Sequence, residues 1–427
     1  MLPALGWSRV LGDRTARRIW LAGLAIGVVR WLEMLAFALW ALETTRSPVA
    51  VAATSFARLL PLLLLGVPLT GLLEARDRRR VVQAGVLAML ATSLAMLAAS
   101  LGDRLGLPLL LAAAFANGIF WTIEQPVRRT LLGETVGLEH AAASMGLEAA
   151  SAQLTRLLGT VAGGAVVAFL GLDGVFLAAA ALYALALAAL IGARPASRRA
   201  RRPGPARDGG LWDGLAAVRR DRLLLGAVLV TLIFNLWGFP WTALAPVIAE
   251  RRFGLDPAAI GLLLGVDGLA GVLAALWIVA RARPTAFRRI YTGGVASLML
   301  GVIGYALAPS PLLALPCLFA AGAGMAGFSA MQMTIPLAAA PPALRLRVLG
   351  VVTTAIGTAP LGFLLVGLLG ERLGPQPALL SIAGLGLAAT ALLVLWIPEL
   401  IAAGPPGASA AQGSPPADLV EPRARDG

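Results

Sequence analysis

The chain has 427 residues, of which 59% are hydrophobic and only 13% charged, and its mean hydropathy is +0.83. A soluble domain needs more charge than this to cover its exterior, so lipid must be the solvent for most of the chain. The formal net charge of +13 comes from arginines in loops, which suits contact with anionic lipid heads and does not indicate a nucleic-acid partner.

Twelve apolar runs follow one another along the chain, and each is long enough to cross a bilayer as a helix. The predicted fold class is therefore an all-α membrane protein. The predicted spans are residues 19–42, 48–73, 81–101, 106–127, 143–171, 173–193, 223–248, 258–281, 290–308, 311–337, 347–370 and 376–398.

The arginines are distributed unevenly over the loops between these spans. Of 35 basic residues, 27 fall on the side of the two termini. The opposite side has only five, namely Arg46, Arg104, Arg251, Arg252 and Arg372. By the positive-inside rule, both termini lie in the cytoplasm and the chain is a multi-pass protein of the inner cell membrane.

An Arg- and Pro-rich stretch divides the spans into two groups. We expect a cytoplasmic N-terminus at 1–18, a six-helix half at 19–193 and a second six-helix half at 223–398. The cytoplasmic linker at 194–222 should end in a short surface helix, and the tail at 399–427 should be disordered and cytoplasmic. Two such pseudo-symmetric halves indicate alternating access to a site near the midplane.

The single cysteine, Cys317, and the single histidine, His140, limit the chemistry of the chain. One cysteine cannot form an internal disulfide, and the two residues are too few for a Cys/His metal site or a histidine-based triad. The sequence also shows no phosphate-binding loop of an ATP-driven pump. We expect no enzyme activity, no metal and no cofactor, and a gradient as the energy source.

Several charged residues fall inside predicted spans, where an unpaired charge costs about 2.5–3.5 kcal/mol. Arg30 and Glu33 are three residues apart on one helix face and could pair with each other. Glu33 is either a proton carrier or half of a structural pair. Asp267 is either a second proton carrier or the partner of an arginine across the cavity.

The remaining polar residues of the spans are candidates for the substrate cavity. Arg58 and Arg156 would give the first half a cationic interior, which favours an anionic or zwitterionic substrate. Amides could bind a ligand or bridge helices. The candidate cavity residues are Arg30, Arg58, Asn117, Glu148, Gln153, Arg156 and Asn235.

The second and third spans are joined by a basic loop that follows a carboxylate. The loop resembles the signature of the major facilitator superfamily, with Glu74 at the family's aspartate, although Thr70 replaces a glycine and Ala75 an arginine. The resemblance implies a cytoplasmic gate, in which Glu124 is a candidate partner for Arg78; an orientation signal is the alternative. The candidate gate residues are Gly71, Glu74, Asp77, Arg78, Arg79, Arg80 and Glu124.

The fifth span carries Gly159, Gly163 and Gly164, which resemble the glycine motif of antiporters with Thr160 in place of a proline. Simple helix packing is the alternative role of these glycines. The block at 120–164 is similar to the drug- and siderophore-exporting branch that includes enterobactin exporters. This resemblance implies a major facilitator fold and export.

We therefore expect a monomeric, proton-coupled exporter, an antiporter of a small amphiphilic molecule such as a drug-like compound or a siderophore. Its partners would be this substrate, protons and membrane lipids, with no nucleic acid. A transporter that moves a lysophospholipid between leaflets is an alternative. A non-transporting membrane scaffold or sensor is an alternative from another class. The charged residues in the middle of the spans disfavour it.

Overall fold

The computed structural model describes residues 7–73, 77–137, 140–193, 211–341, 344–402 and 404. Every long regular element in these ranges is a helix. Residues 194–210 of the predicted linker, the tail from 405 and Glu74 lie outside the described residues. The helices are α1 (Trp7–Gly12), α2 (Arg14–Thr45), α3 (Pro48–Leu73), α4 (Arg78–Leu101), α5 (Leu107–Val136), α6 (Ala141–Gly192), α7 (Leu211–Arg220), α8 (Arg222–Ile233), α9 (Trp241–Phe253), α10 (Pro257–Arg281), α11 (Phe287–Leu307), α12 (Pro311–Met331), α13 (Thr334–Ala339), α14 (Arg345–Ile356), α15 (Ala359–Leu373) and α16 (Pro375–Trp396).

Eleven helical stretches of the described residues are long and apolar enough to cross a membrane. One of them, in α6, contains two of the predicted spans, because Gly171 interrupts the helix with a φ of 63°. A positive φ is readily adopted by glycine and lets the chain reverse here. The twelve predicted spans are thereby accounted for.

Aspartates begin several of these helices. Asp13 accepts a hydrogen bond from the Ala16 amide at 2.7 Å, and Asp256 accepts one from Ala259 at 2.8 Å. Asp221 caps α8 in the same way, through the amide of Leu224 at 3.0 Å. These caps satisfy amides that the first helical turn leaves without partners. Capped helices α2 and α8 each begin the first membrane span of a half.

The second half contains helices with interruptions. A π-helical turn at Phe234–Gly238 separates α8 from α9. Short breaks at 332–333 and 357–358 separate α12 from α13 and α14 from α15. In the first half, α2 runs without a break for 32 residues.

The bundle has two ends that differ in their connections. The end that holds the α2–α3, α9–α10 and α15–α16 connections is called the distal end below, and the opposite end is the proximal end. At the distal end, the Ser47 hydroxyl donates to Glu371 at 2.9 Å and Arg251 donates to the Arg46 carbonyl. These hydrogen bonds join the first half to the second.

The outer surface of the bundle is apolar over much of its length. Leucines and aromatic residues of α4, α6 and α16 are largely exposed, among them Leu87, Phe169, Leu185 and Leu395. An exterior of this kind is suited to lipid. The buried core continues from α2 and α3 into α8, α9 and α15, so the two halves share a packed boundary.

Candidate functional site

A small cavity of about 50 Å³ lies between the two halves. Helices α2, α3 and α6 form one wall, and α9 and α10 form the other. Most of the lining is apolar, including Met34, Leu35, Ala245 and Leu264. Three hydroxyl groups, an arginine and an aspartate interrupt the apolar lining. The chemistry of this lining suits a ligand with an apolar body and few polar groups.

An ion pair crosses the boundary between the halves at this cavity. Arg156 of α6 donates to Asp267 of α10, and both side chains are buried. The guanidinium also lies 5.2 Å from the ring centroid of Trp31 and donates to the sulfur of Met325. The other carboxylate oxygen of Asp267, Oδ1, is buried without a hydrogen-bond partner among the described residues.

The aspartate reaches this position because glycine lies beside it. A β-carbon built on Gly322 of α12 would come within 2.7 Å of the Asp267 Oδ1 atom. Any larger residue at that position would push α12 away from α10. Gly322 is a part of the site that sequence reasoning missed.

Trp241 is the second group at this cavity with an unused hydrogen-bonding atom. Its side chain lines the cavity and is only 2% exposed, yet its indole N–H has no partner within the described ranges. Buried N–H groups are usually paired, so this donor is available to a ligand. Each wall of the cavity carries a tryptophan, Trp31 of α2 and Trp241 of α9.

A separate network of charges lies wholly inside the first half. Glu124 accepts from Arg30 at 3.2 Å and from Arg128, and Arg128 donates in turn to Glu148 at 2.5 Å. Glu124 is completely buried. Helix α5 continues beyond the predicted span at 106–127, to Val136, and carries Arg128 within the helix. The spacing of Glu124 and Arg128, four residues apart, could have indicated this.

Glu33 and Arg58 form a looser pair in the same half. Their closest charged atoms are 3.6 Å apart, and neither of these two atoms has a hydrogen-bond partner in the described part of the chain. Arg58 also donates to the Arg30 carbonyl at 3.2 Å. A small cavity beside this pair is lined by Arg30, Arg58 and Asn117, and the Tyr183 hydroxyl donates to Asn117 at 3.2 Å.

The predicted pair of Arg30 with Glu33 is wrong. Each of the two finds its partner on another helix, Arg30 at Glu124 of α5 and Glu33 at Arg58 of α3. The prediction of a cationic interior rested on Arg58 and Arg156, and each of these buried arginines lies beside a carboxylate.

Three of the candidate cavity residues line neither of the two cavities described above. Glu148 binds Arg128, and the Asn235 amide donates to the Thr231 carbonyl at 2.8 Å in the π-helical turn. Gln153 packs against Gly271 of α10, where a β-carbon would be 2.6 Å from its side-chain oxygen. Arg156 and Asp267 are the candidates at the boundary of the halves.

The described gate residues contact the first half. Asp77 caps α4 through the Arg79 amide at 3.0 Å, and Arg80 lies 3.6 Å from Asp77. Arg79 donates to the Ile191 carbonyl at 2.7 Å. The predicted pair of Arg78 with Glu124 is wrong, since Arg78 binds Glu134 and Glu124 is occupied by Arg30 and Arg128. Gly71 lies in the last turn of α3.

The glycine motif of α6 serves two contacts. Gly159 and Gly163 face α2 of the same half, where β-carbons would come within 2.7 Å of Trp31 and 3.0 Å of Leu32. Gly164 instead faces Gly261 of α10, in the other half. Sequence reasoning missed Gly261, because its partner lies about a hundred residues away and no local pattern links the two helices.

Twelve spans, two six-helix halves and a polar site between them define a polytopic membrane transporter. The chain belongs to the Major Facilitator Superfamily, whose sequence model matches residues 19–360. No curated protein has a sequence that matches this chain at a significant level.

Solved transporters share this fold at low sequence identity. A POT family transporter in complex with a thioalcohol-conjugated peptide superposes with a TM-score of 0.72 and 13% identity, over 93% of this chain and 99% of that one. For the nucleoside transporter NupG the values are 0.67 and 14%, over 90% and 98%. For the human organic anion transporter TETRAN they are 0.64 and 16%, over 89% and 99%. At these identities the likeness establishes the fold.

Proposed function

We propose that the chain is a proton-coupled exporter of an amphiphilic small molecule and works by alternating access. The observation that carries this proposal is the buried ion pair of Arg156 and Asp267, which joins the two halves at the cavity between them. A pair in this position is formed or broken by any motion that separates the halves. It therefore links a change of charge to a change of conformation.

A proton can act on this pair through the carboxylate. When a proton binds Asp267, the aspartate loses its charge and Arg156 loses the partner that offsets its burial. The paired state and the protonated state thus stabilise different arrangements of α6 and α10. Substrate and proton that alternate at one carboxylate give exchange, which is what export against an inward proton gradient requires.

The contacts at the distal end bear on the side from which the cavity is closed. The Arg bias of the loops assigns the distal end to the outside of the cell membrane. The pairs Ser47–Glu371 and Arg251–Arg46 would then close the outer side in this conformation. Substrate would enter the cavity from the cytoplasm. The direction of transport, export, is supported by the similarity of the block at 120–164 to drug and siderophore exporters.

The test is export by the full chain in proteoliposomes under an imposed pH gradient, with a panel of dyes, siderophores and lysolipids. We expect at least one compound to move only when the gradient is present, and Asp267→Asn to abolish that movement. Asp256→Asn is the matched control, because it makes the same change at an exposed cap of the same helix, where asparagine caps equally well. Full gradient-driven export by Asp267→Asn would refute the coupling.

A further inference from the structure

We infer that the exported molecule is a zwitterion, an amphiphile with an ammonium and an acid group close together at its polar end. The inference rests on the proposed proton-coupled export at Arg156 and Asp267 and names the substrate class of that site. The inference starts from one acceptor atom of Asp267 and one donor group of Arg156 that lack a good hydrogen-bond partner.

Each partner of the pair has one such position. Asp267 Oδ1 has no hydrogen-bond partner in the described residues, although the atom is buried. Arg156 directs one of its terminal nitrogens at the thioether sulfur of Met325, which is a weak acceptor. A ligand that supplies a donor to Asp267 and an acceptor to Arg156 gives each of these two groups the hydrogen bond that it lacks.

The charges of the pair discriminate between classes of ligand. A plain cation that binds Asp267 leaves Arg156 buried and unpaired, and arginine keeps its proton in proteins. A plain anion that binds Arg156 leaves Asp267 unpaired unless a proton neutralises it. A zwitterion offers an opposite charge to each partner, so no buried charge is left without compensation.

These classes also differ in their linkage to protons. A zwitterion binds the ionised aspartate through its ammonium group, so it competes with a proton for Asp267 and the two are exchanged. An anion binds best when Asp267 is protonated, so anion and proton bind together and move in one direction. Export driven by inward proton flow fits the first case and opposes the second.

The surroundings of Asp267 bring no other charge to it. Of the helices packed against α10, α12 has no charged residue, and the charged residues of α9 lie in its last turn at 250–252. On α6, Glu148 is held by Arg128, and Asp173 lies beyond the break at Gly171. Arg156 is therefore the charged side chain of the described helices that faces Asp267.

The rest of the cavity fits the apolar part of such a molecule. Met34, Leu35 and Leu264 supply apolar walls, and the unused indole N–H of Trp241 offers one further donor. An alkyl chain that packs against these walls, as the halves move apart to admit it, needs no additional charge.

The test uses four probes with the same alkyl chain: 2-aminooctanoic acid, octanoic acid, octylamine and octanamide. Binding to the purified full chain is measured by quenching of tryptophan fluorescence, because Trp31 and Trp241 line the cavity. Calorimetry in two buffers with different heats of protonation gives the protons exchanged. We expect the zwitterion to bind roughly a hundredfold tighter than the other three at neutral pH, with weaker binding as the pH falls.

Two variants should change the preference in opposite directions. Asp267→Asn frees Arg156 and should favour octanoate, and Arg156→Gln frees Asp267 and should favour octylamine. Arg104→Gln, at an exposed residue far from the cavity, should keep the wild-type order. The order of probe affinities measured for the wild-type chain tests the inference even if a cavity variant fails to fold.

The outcomes separate this inference from the proposed function. Tightest binding of octanoate, with uptake of protons, would overturn the zwitterion and leave proton coupling at Asp267 intact. Equal binding of all four probes, or binding of none, would also overturn it. Loss of all pH dependence, together with gradient-driven export by Asp267→Asn, would instead refute the proposed function.

Discussion

Gly164 of α6 and Gly261 of α10 lie directly against each other across the boundary between the two halves. A β-carbon built on Gly261 would be 2.9 Å from the Cα atom of Gly164, and one built on Gly164 would be 2.7 Å from the Cα atom of Gly261. Contact this close requires that both residues lack a side chain. The two helices therefore meet backbone to backbone, on the distal side of the Arg156–Asp267 pair.

Gly261→Ala should open the distal side of the transporter. The added methyl group forces α6 and α10 apart, and overpacking of this kind costs about 1–3 kcal/mol. We expect the impermeant thiol labelling of Ser55→Cys, a cavity residue, to rise about tenfold in intact cells in a Cys317→Ala background. Gly384→Ala is the control, because no atom lies within 4 Å of the added carbon. An unchanged labelling rate in Gly261→Ala would show that this contact does not close the distal side.

Glu124→Gln should destabilise the first half more than the loss of a surface ion pair would. Glu124 is completely buried and accepts from two arginines, Arg30 and Arg128. Its neutralisation removes the carboxylate that pairs with Arg30 and leaves Arg128 with Glu148. The expected loss is about 3–5 kcal/mol, seen as a lower thermal midpoint of the detergent-solubilised protein.

Glu134→Gln is the matched control for this change. Glu134 also pairs with an arginine, Arg78, but its side chain is 41% exposed, so the expected loss is only about 0–1 kcal/mol. Equal midpoints for Glu124→Gln and Glu134→Gln would mean that the buried network adds nothing to stability.

The fold could be predicted from the sequence because hydropathy and span length dictate it. Each apolar run of about twenty residues has to form a helix in lipid, so the number of spans follows from the runs. The helix interruptions were not predicted, since the π-helical turn at Phe234–Gly238 lies within a single predicted span, 223–248.

The sequence predicted which residues belong to the candidate site, but it did not predict which residues pair with each other. Buried charges were expected to matter because of their cost, and Arg156 and Asp267 indeed lie at the cavity. The pairing of Arg156 with Asp267 depends on how α6 and α10 cross. Likewise, Arg30 pairs with Glu124 and not with Glu33 because of how α2 and α5 pack against each other. Spacing along one helix does not contain that information.

The positive-inside rule predicts which end of the bundle faces the outside. Arg104 follows α4 at the distal end, and Arg289 lies in the first turn of α11 at the proximal end; both are exposed. In a Cys317→Ala background, an impermeant thiol reagent should label Arg104→Cys in intact cells and Arg289→Cys only after lysis. Labelling of position 289 in intact cells would reverse the orientation, and with it the direction of transport.

Glu33 is the second candidate proton carrier, and its loose pair with Arg58 allows a direct test of that role. Glu33 Oε2 and Arg58 Nη2 are 3.6 Å apart, and both atoms lack hydrogen-bond partners among the described residues. Protonation of Glu33 at this oxygen would therefore break no hydrogen bond. Glu33→Gln should therefore lower gradient-driven export while the protein still reaches the membrane. It leaves Arg58 buried without a charged partner, however, and some loss of stability is expected.

The double variant Glu33→Gln with Arg58→Met separates coupling from stability. Removing both charges takes away the unpaired arginine, and replacement of a buried pair by groups without charge is often neutral or stabilising. The thermal midpoint should thus return towards that of the wild type. If Glu33 carries a proton, gradient-driven export stays lost in the double variant, whereas recovery of export together with the midpoint would assign the pair a structural role alone. The measurement is the thermal midpoint and export in proteoliposomes for the single and double variants, prepared side by side.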